Sequence, residues 1–229
     1  MRSRWIFLFC AVTTALVCSG LGVWQLRRLD SRRVANTHAR IARALPPRVL
    51  PGAGALGPDL AIIATGTFDQ DHEFVLRGRA HDGAPGVEIG TPFRTDGSDT
   101  ALIVLRGFVP SDDAMSVDRS AIREPGVRTV RGILFAVPDL GVPLERKGDT
   151  TWDRIPGNWM RDHLPYPVYP YVLWQAHDSG MAGFPVRLGA PELTDGPHLN
   201  YSLQWFAFAL IFGGGGIVFA LRKDPAAAA

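Results

Sequence analysis

Two uncharged stretches limit what this chain can fold into more than any other feature. Residues 5–26 and 201–221, 22 and 21 residues long, contain no charged side chain. A helix rises 1.5 Å per residue, so about 20 apolar residues cover the roughly 30 Å hydrocarbon core of a bilayer. Each stretch is therefore long enough to span a membrane. All 24 basic and 22 acidic residues lie outside them, and the 174 residues between, 27–200, suffice for one domain with a core. The formal net charge of +2 lacks the basic field that nucleic acid requires, so nucleic acid is excluded as the main partner. Only Lys147 and Lys223 among the basic residues are lysine, a usage typical of a GC-rich genome.

Both stretches are expected to remain in the mature protein. The first exceeds the 7–15 residues of a signal-peptide core, and it ends in Trp24, Gln25, Leu26, Arg27 and Arg28 with no small-residue cleavage site. Val17 ahead of Cys18 rules out a lipoprotein signal. With four residues before it there is no room for a mitochondrial transit peptide, which points to a bacterial membrane. Charge alone leaves orientation in conflict. Arg2, Arg4, Arg222 and Lys223 favour cytoplasmic termini, whereas Arg27, Arg28, Arg32, Arg33, Arg40 and Arg43 argue the reverse.

Leu29, Val34, Ile41 and Leu45 recur at helical spacing, so the first helix is expected to continue as an extension over 27–45. The Pro- and Gly-rich segment 46–58 reads as a linker. Short β-type runs follow at 61–68, 73–79, 87–95, 101–109, 127–137 and 168–174, separated by turn-prone clusters, and 149–163 has room for one short helix. The fold class expected is a membrane protein in which two transmembrane α-helices flank one β-rich (α+β) domain at 59–195, an antiparallel sheet or small barrel. The second helix is expected at 197–221, with Asp195 capping it and Pro197 in its first turn.

The domain is poor in chemistry. Cys10 and Cys18 both lie in the first apolar stretch, which excludes a disulfide framework, a thiolate zinc site, a CxxC pair or c-type haem attachment elsewhere. No nucleophile elbow, zinc-protease helix or phosphate-binding glycine loop is present, and Met115, Met160 and Met181 are scattered rather than grouped as copper ligands. The chain is therefore not expected to be an enzyme. His38, His72, His81, His163 and His177 show no ligand spacing.

His198 is placed differently, at the mouth of the second stretch. At about 100° per residue it heads a stripe with Ser202, Trp205, Ala209, Gly213, Gly216 and Ala220, and the first stretch carries a matching stripe of Ala11, Ala15, Cys18 and Gly22. Two readings stand side by side. Either the stripes face each other as a small-residue helix pair, or a planar apolar cofactor lies in the groove with His198 as axial ligand, as haem iron commonly uses. Arg27 and Arg28 would then emerge near a cofactor carboxylate. Trp24, Gln25, Tyr201, Gln204 and Trp205 gather at the same level, where an aromatic belt also accounts for Trp and Tyr.

These motifs resemble the Surfeit locus protein 1 family, the cytochrome c oxidase assembly factors. LGVWQLRRLDSRR, residues 21–33, is similar to the family's Gly-x-Trp-Gln-Leu-x-Arg signature. GTFDQDHEFVLRGR, GVEIGTPF and IVLRGFVP resemble its central strands, and HLNYSLQWFAFA, residues 198–209, resembles its closing motif. The chain departs from the pattern at Arg32, usually Lys, at Leu105 and Phe108 around Arg106 and Gly107, usually Asn and Trp, and at Ser202, usually Ala. The resemblance implies cytoplasmic termini (1–4 and 222–229) and an extracytoplasmic domain in a bacterial cell membrane. It also implies help in inserting haem a, held in transit, with His198 as the candidate iron ligand. The implied partners are oxidase subunits, membrane lipid and, in an alternative role as a scaffold or accessory subunit without haem, a respiratory supercomplex. A membrane-anchored sensor or enzyme is a third reading, disfavoured by the missing motifs.

Overall fold

The computed structural model describes residues 2–52, 54–137, 146–147, 150–177 and 183–222. Lys223, Met181, the side chain of Arg2 and the alanine tail lie outside the described residues. The chain divides into two compact units, one formed by residues before Ala39 and after Glu192, the other by Ala39–Glu192.

The first unit is helical. Helix α1 (Arg2–Ala44) begins there, and α3 (His198–Leu221) lies wholly within it. Both are long and apolar enough to cross a membrane. The α1 helix runs without a break from the uncharged stretch into its arginine-rich half, and Pro46 and Pro47 bar its continuation. Of the apolar residues that suggested this extension only Leu29 is buried, at 5% exposure; Val34, Ile41 and Leu45 are exposed, and Asn36 takes the next buried position.

The second unit is a sheet closed on itself. Strand β1 (Arg48–Leu50) falls inside the segment expected to be a linker, where it runs parallel to β2 (Ala61–Phe68). Then follow β3 (Phe74–His81), β4 (Ala84–Thr95), β5 (Ala101–Pro110), β6 (Val127–Ala136), the two-residue β7 (Arg146–Lys147) and β8 (Thr151–Trp152), helix α2 (Gly157–His163) and β9 (Val168–Gln175). Strands β2, β6, β9, β5 and β4 pair in that order, and β4 returns to β2 through Gly66 opposite Thr95, Thr67 opposite Arg94 and Phe68 opposite Phe93. The small-barrel form of the expected fold is thus the one realised, with five strands. A Cβ on Gly66 would stand 2.0 Å from the Arg94 carbonyl oxygen, so closure needs glycine there. Around the ring only the β5–β9 pair is parallel, which requires the long connection that carries β6 and α2.

Alternation along the strands separates the barrel interior from the cores packed outside it. Ile62, Ala64, Phe68, Phe93, Leu102, Val104, Val130, Leu134 and Leu173 fill the barrel. The opposite face of β5, Ile103 and Leu105, packs with Phe74, Leu76, Trp152, Met160 of α2 and Val172. Because both of its faces are covered, β5 is buried over eight successive residues, including a charged one.

Candidate functional site

The polar contacts of the helical unit lie along one seam. Its buried or half-buried positions on α1 include Ala11, Ala15, Cys18, Gly22, Gln25, Leu29 and Asn36, and those on α3 include His198, Ser202, Trp205, Ala209, Gly213, Gly216 and Ala220. These are the two stripes anticipated from periodicity. A Cβ on Gly216 would lie 2.6 Å from the Cβ of Ala11, and one on Gly213 would lie 3.5 Å from that of Ala15. Ser202 Oγ donates to the Gly22 carbonyl at 3.1 Å, so the residue that departs from the family's alanine adds an interhelical hydrogen bond. Large apolar side chains such as Trp5, Leu210, Ile211 and Leu221 point away from the seam and are exposed.

Toward the start of α3 the seam becomes polar. Asp195 does not cap the helix: Pro197 is the N-cap and makes no side-chain cap bond. The Asp195 carboxylate instead accepts from Arg33 Nε at 2.9 Å and from Asn36 Nδ2 at 3.3 Å, and the Thr194 carbonyl accepts from Asn36 Nδ2 at 3.0 Å and Arg32 Nε at 3.4 Å. These contacts join the segment just ahead of α3 to α1. One turn further, His198 Nδ1 lies 2.9 Å from Gln25 Oε1.

Among the residues anticipated as a site, the structure joins Gln25 directly to His198. Trp205 stays within about 20° of His198 on the helix wheel, whereas Tyr201 and Gln204 are turned by about 60° and 120°. Relative to Gln25, Arg28 is turned by about 60°, Trp24 by about 100° and Arg27 by about 160°. Trp24, Arg27, Arg28, Tyr201 and Gln204 are all exposed. Among the described residues no three His, Cys, Asp or Glu side chains converge on a metal-sized site. A single imidazole suits haem iron, whose other ligands come from the macrocycle, and does not suit a bare divalent ion, which needs several protein ligands. Gly196, with φ of +70°, lies beside the ring: a Cβ there would stand at ordinary contact distance, 3.8 Å, from His198 Nε2.

The barrel has a polar centre of its own, which sequence reasoning missed. Arg106 of β5 is completely buried and donates to Glu73 Oε2 at 2.7 Å and to Glu124 Oε1 at 2.8 Å. Thr91 Oγ1 also donates to Glu73, at 2.9 Å, and Arg187 pairs with Glu124. Arg106 lies over the ring of Phe68, 5.0 Å from its centroid. Burial pushes the Glu124 carboxyl up, but hydrogen bonding and charge from Arg106 and Arg187 outweigh it and hold the group below its ordinary value. Gly107, with φ of +131°, lets the chain at Val186 approach β5; a Cβ there would stand 2.2 Å from the Val186 carbonyl oxygen. The signal in the sequence was a lone arginine inside an apolar strand run. In this cluster two cations are balanced by two carboxylates, and the bonds tie β5 to the segments around it.

The profile of the SURF1 family matches residues 12–210 of this chain. A SURF1-like protein of Monosiga brevicollis is 25% identical, the alignment covering 87% of this chain and 82% of the relative. An uncharacterised SURF1-like protein of Mycobacterium tuberculosis is also 25% identical, with 92% and 81% covered. A SURF1-like protein of Caenorhabditis elegans is 24% identical, with 87% and 69% covered.

Proposed function

The chain belongs to the SURF1 family, whose general role is cytochrome c oxidase assembly, and from that premise we propose that it is a bacterial oxidase assembly factor that aids insertion of haem a into the main catalytic subunit. The observation that carries this reading is the placement of His198, a lone imidazole at the first residue of α3, at the end of an uncharged helix. Both helices cross the cell membrane with the termini in the cytoplasm, and the barrel faces outward. His198 would be the residue that holds the iron. Arg28, turned only moderately from Gln25, pairs with a propionate more readily than Arg27 on the far side of α1, and such a charge-assisted contact strengthens at an apolar boundary. Haem a, when bound, brings an iron that accepts the imidazole. The chain itself performs no catalysis; it orients the group and hands it to the oxidase subunit.

The test is to purify the protein from a strain that makes haem a and to record its optical spectrum. The parent is expected to carry haem, and His198→Ala to lose or shift the spectrum while remaining in the membrane. An unchanged spectrum in the variant would remove the ligand assignment. A second reading has its own support: the close approach of Gly216 to Ala11 lets the small-residue stripes serve α1 and α3 alone. In that case the protein is a scaffold or accessory subunit of the oxidase or a respiratory supercomplex. Co-purification with the oxidase in the absence of any haem signal is its expected signature.

A further inference from the structure

We propose that Gln25 is the positioning residue of His198, fixing the ring so that Nε2 carries the free lone pair; this rests on the reading of His198 as a ligand. Neutral imidazole has one N–H and one lone pair, and the hydrogen bond made by one nitrogen determines which role falls to the other. Gln25 presents its carbonyl oxygen Oε1 to Nδ1 at 2.9 Å, so Nδ1 carries the proton and donates. Nε2, beside Gly196, is left as the ligating atom.

The pairing is held from both sides. Ser202 binds the Gly22 carbonyl about one turn along each helix, and on the other side Asn36 and Arg33 of α1 hold Thr194 and Asp195, just ahead of α3. Asn36 is 4% exposed and Ser202 1%, so both anchors are sheltered from water. Bracketed in this way, α3 can neither slide nor turn without breaking one of them. Gln25 thus does for His198 what an outer-sphere partner does for a metal-bound histidine: it selects the tautomer and orients the ring.

The test uses the full-length chain in lipid nanodiscs, first without haem. Nitrogen-15 NMR of histidine-labelled protein, with His198 identified by its loss in His198→Ala, is expected to show a protonated Nδ1 and an unprotonated Nε2. Gln25→Leu removes the acceptor and is expected to yield a mixture of tautomers, and Gln25→Glu, which keeps an acceptor oxygen, to restore the protonated Nδ1. A proton on Nε2 in the parent, or a tautomer unchanged in Gln25→Leu, overturns the proposal. In the second arm haem is added. Gln25→Leu is expected to keep the ligand but to weaken haem affinity about 10- to 100-fold and to shift the optical spectrum. Equal affinity and spectrum in Gln25→Leu and the parent also overturn it. If the parent takes up no haem although its tautomer is as stated, the ligand reading of His198 fails while the positioning of the ring by Gln25 stands.

Discussion

The helical unit and the barrel bury opposite kinds of side chain. Apart from the charged cluster around Arg106, the interior of the barrel is apolar and bulky, with Phe93, Leu102, Val104 and Leu134 fully out of contact with solvent. In the helical unit the seam is small and polar, Ala11, Cys18, Ser202, Gly216 and Asn36, while Leu210 and Leu221 are more than three-quarters exposed. Water would drive such leucines inward at roughly 25 cal/mol per Å² of apolar surface. Lipid exerts no such drive, and helices within it associate through close backbone approach and a few hydrogen bonds. The contrast places the two units in different solvents, and the same substitution should behave differently in each.

The largest effect is expected in the barrel. Arg106→Met leaves Glu73 buried with Thr91 as its side-chain partner among the described residues, and takes one of two cations from Glu124. Removing one member of a buried charge set costs about 3–5 kcal/mol. Denaturation of the full chain followed by near-ultraviolet circular dichroism should show that loss, while membrane insertion is unchanged. Adding Glu73→Leu should recover part of it, since a buried charge set can be replaced by apolar groups more cheaply than it can be broken. An Arg106→Met protein as stable as the parent would mean that the cluster contributes nothing to the fold.

Acid provides a milder probe of the same cluster. The folded protein holds the Glu124 carboxyl below its ordinary value of 4.5, so the stabilisation it gives is fully present above that pH. It is lost as pH falls through the lower folded value. The parent should therefore lose stability below about pH 4.5. Arg106→Met should show a shallower slope there, because one of the two cations favouring the carboxylate is gone. Stability measured across that range at fixed ionic strength checks the sign.

Next in size is a contrast within one run of glycines in α3. Gly213 and Gly216 lie on the seam, whereas a Cβ on Gly214 or Gly215 would meet nothing within 4 Å. Replacing the first pair with Leu forces α1 and α3 apart, at a cost of about 1–3 kcal/mol by analogy with overpacked cores, and should reduce haem retention or oxidase assembly. The same change at Gly214 and Gly215 should leave both intact. Equal behaviour of the two double variants would show that the stripe makes no close contact.

How much of this could be read in advance differs between the units for a physical reason. The helix seam follows from a single period, so all seven α3 stripe positions from His198 to Ala220 emerged from spacing alone. The strands at 61–68 and 101–109 were equally plain, because runs of β-branched and apolar residues stand out between turn residues. Closure of the barrel was not, since the pairing of Phe68 with Phe93 depends on two strands curling toward each other rather than on either one's composition. Strand β1 was hidden among prolines and glycines. Arg106 lies 33 positions from Glu73 and 18 from Glu124, so nothing local announced their pairing. Asp195 shows the same limit in reverse: its position before a helix suggested a cap, but its carboxylate meets Arg33 and Asn36 of α1 instead.

The smallest expected effect separates two of the contacts made just ahead of α3, by Arg33 and by Asn36. Arg33 reaches the Asp195 carboxylate with both side chains largely in solvent, 57% and 38% exposed. An exposed ion pair contributes about 0–1 kcal/mol and fades with salt. Asn36 makes its bonds while almost fully buried, and its loss leaves the Thr194 carbonyl without one of its donors. Such a deletion costs about 1–3 kcal/mol and does not depend on ionic strength. In mixed-micelle unfolding followed by helical circular dichroism, Arg33→Ala should therefore differ from the parent by only a few tenths of a kcal/mol, and the difference should vanish in 1 M salt. Asn36→Ala should show the larger loss at every salt concentration. If Arg33→Ala were the more damaging change, or if the Asn36→Ala loss were screened by salt, the helices would be joined mainly by surface charge, and the account of a sheltered polar seam would be wrong.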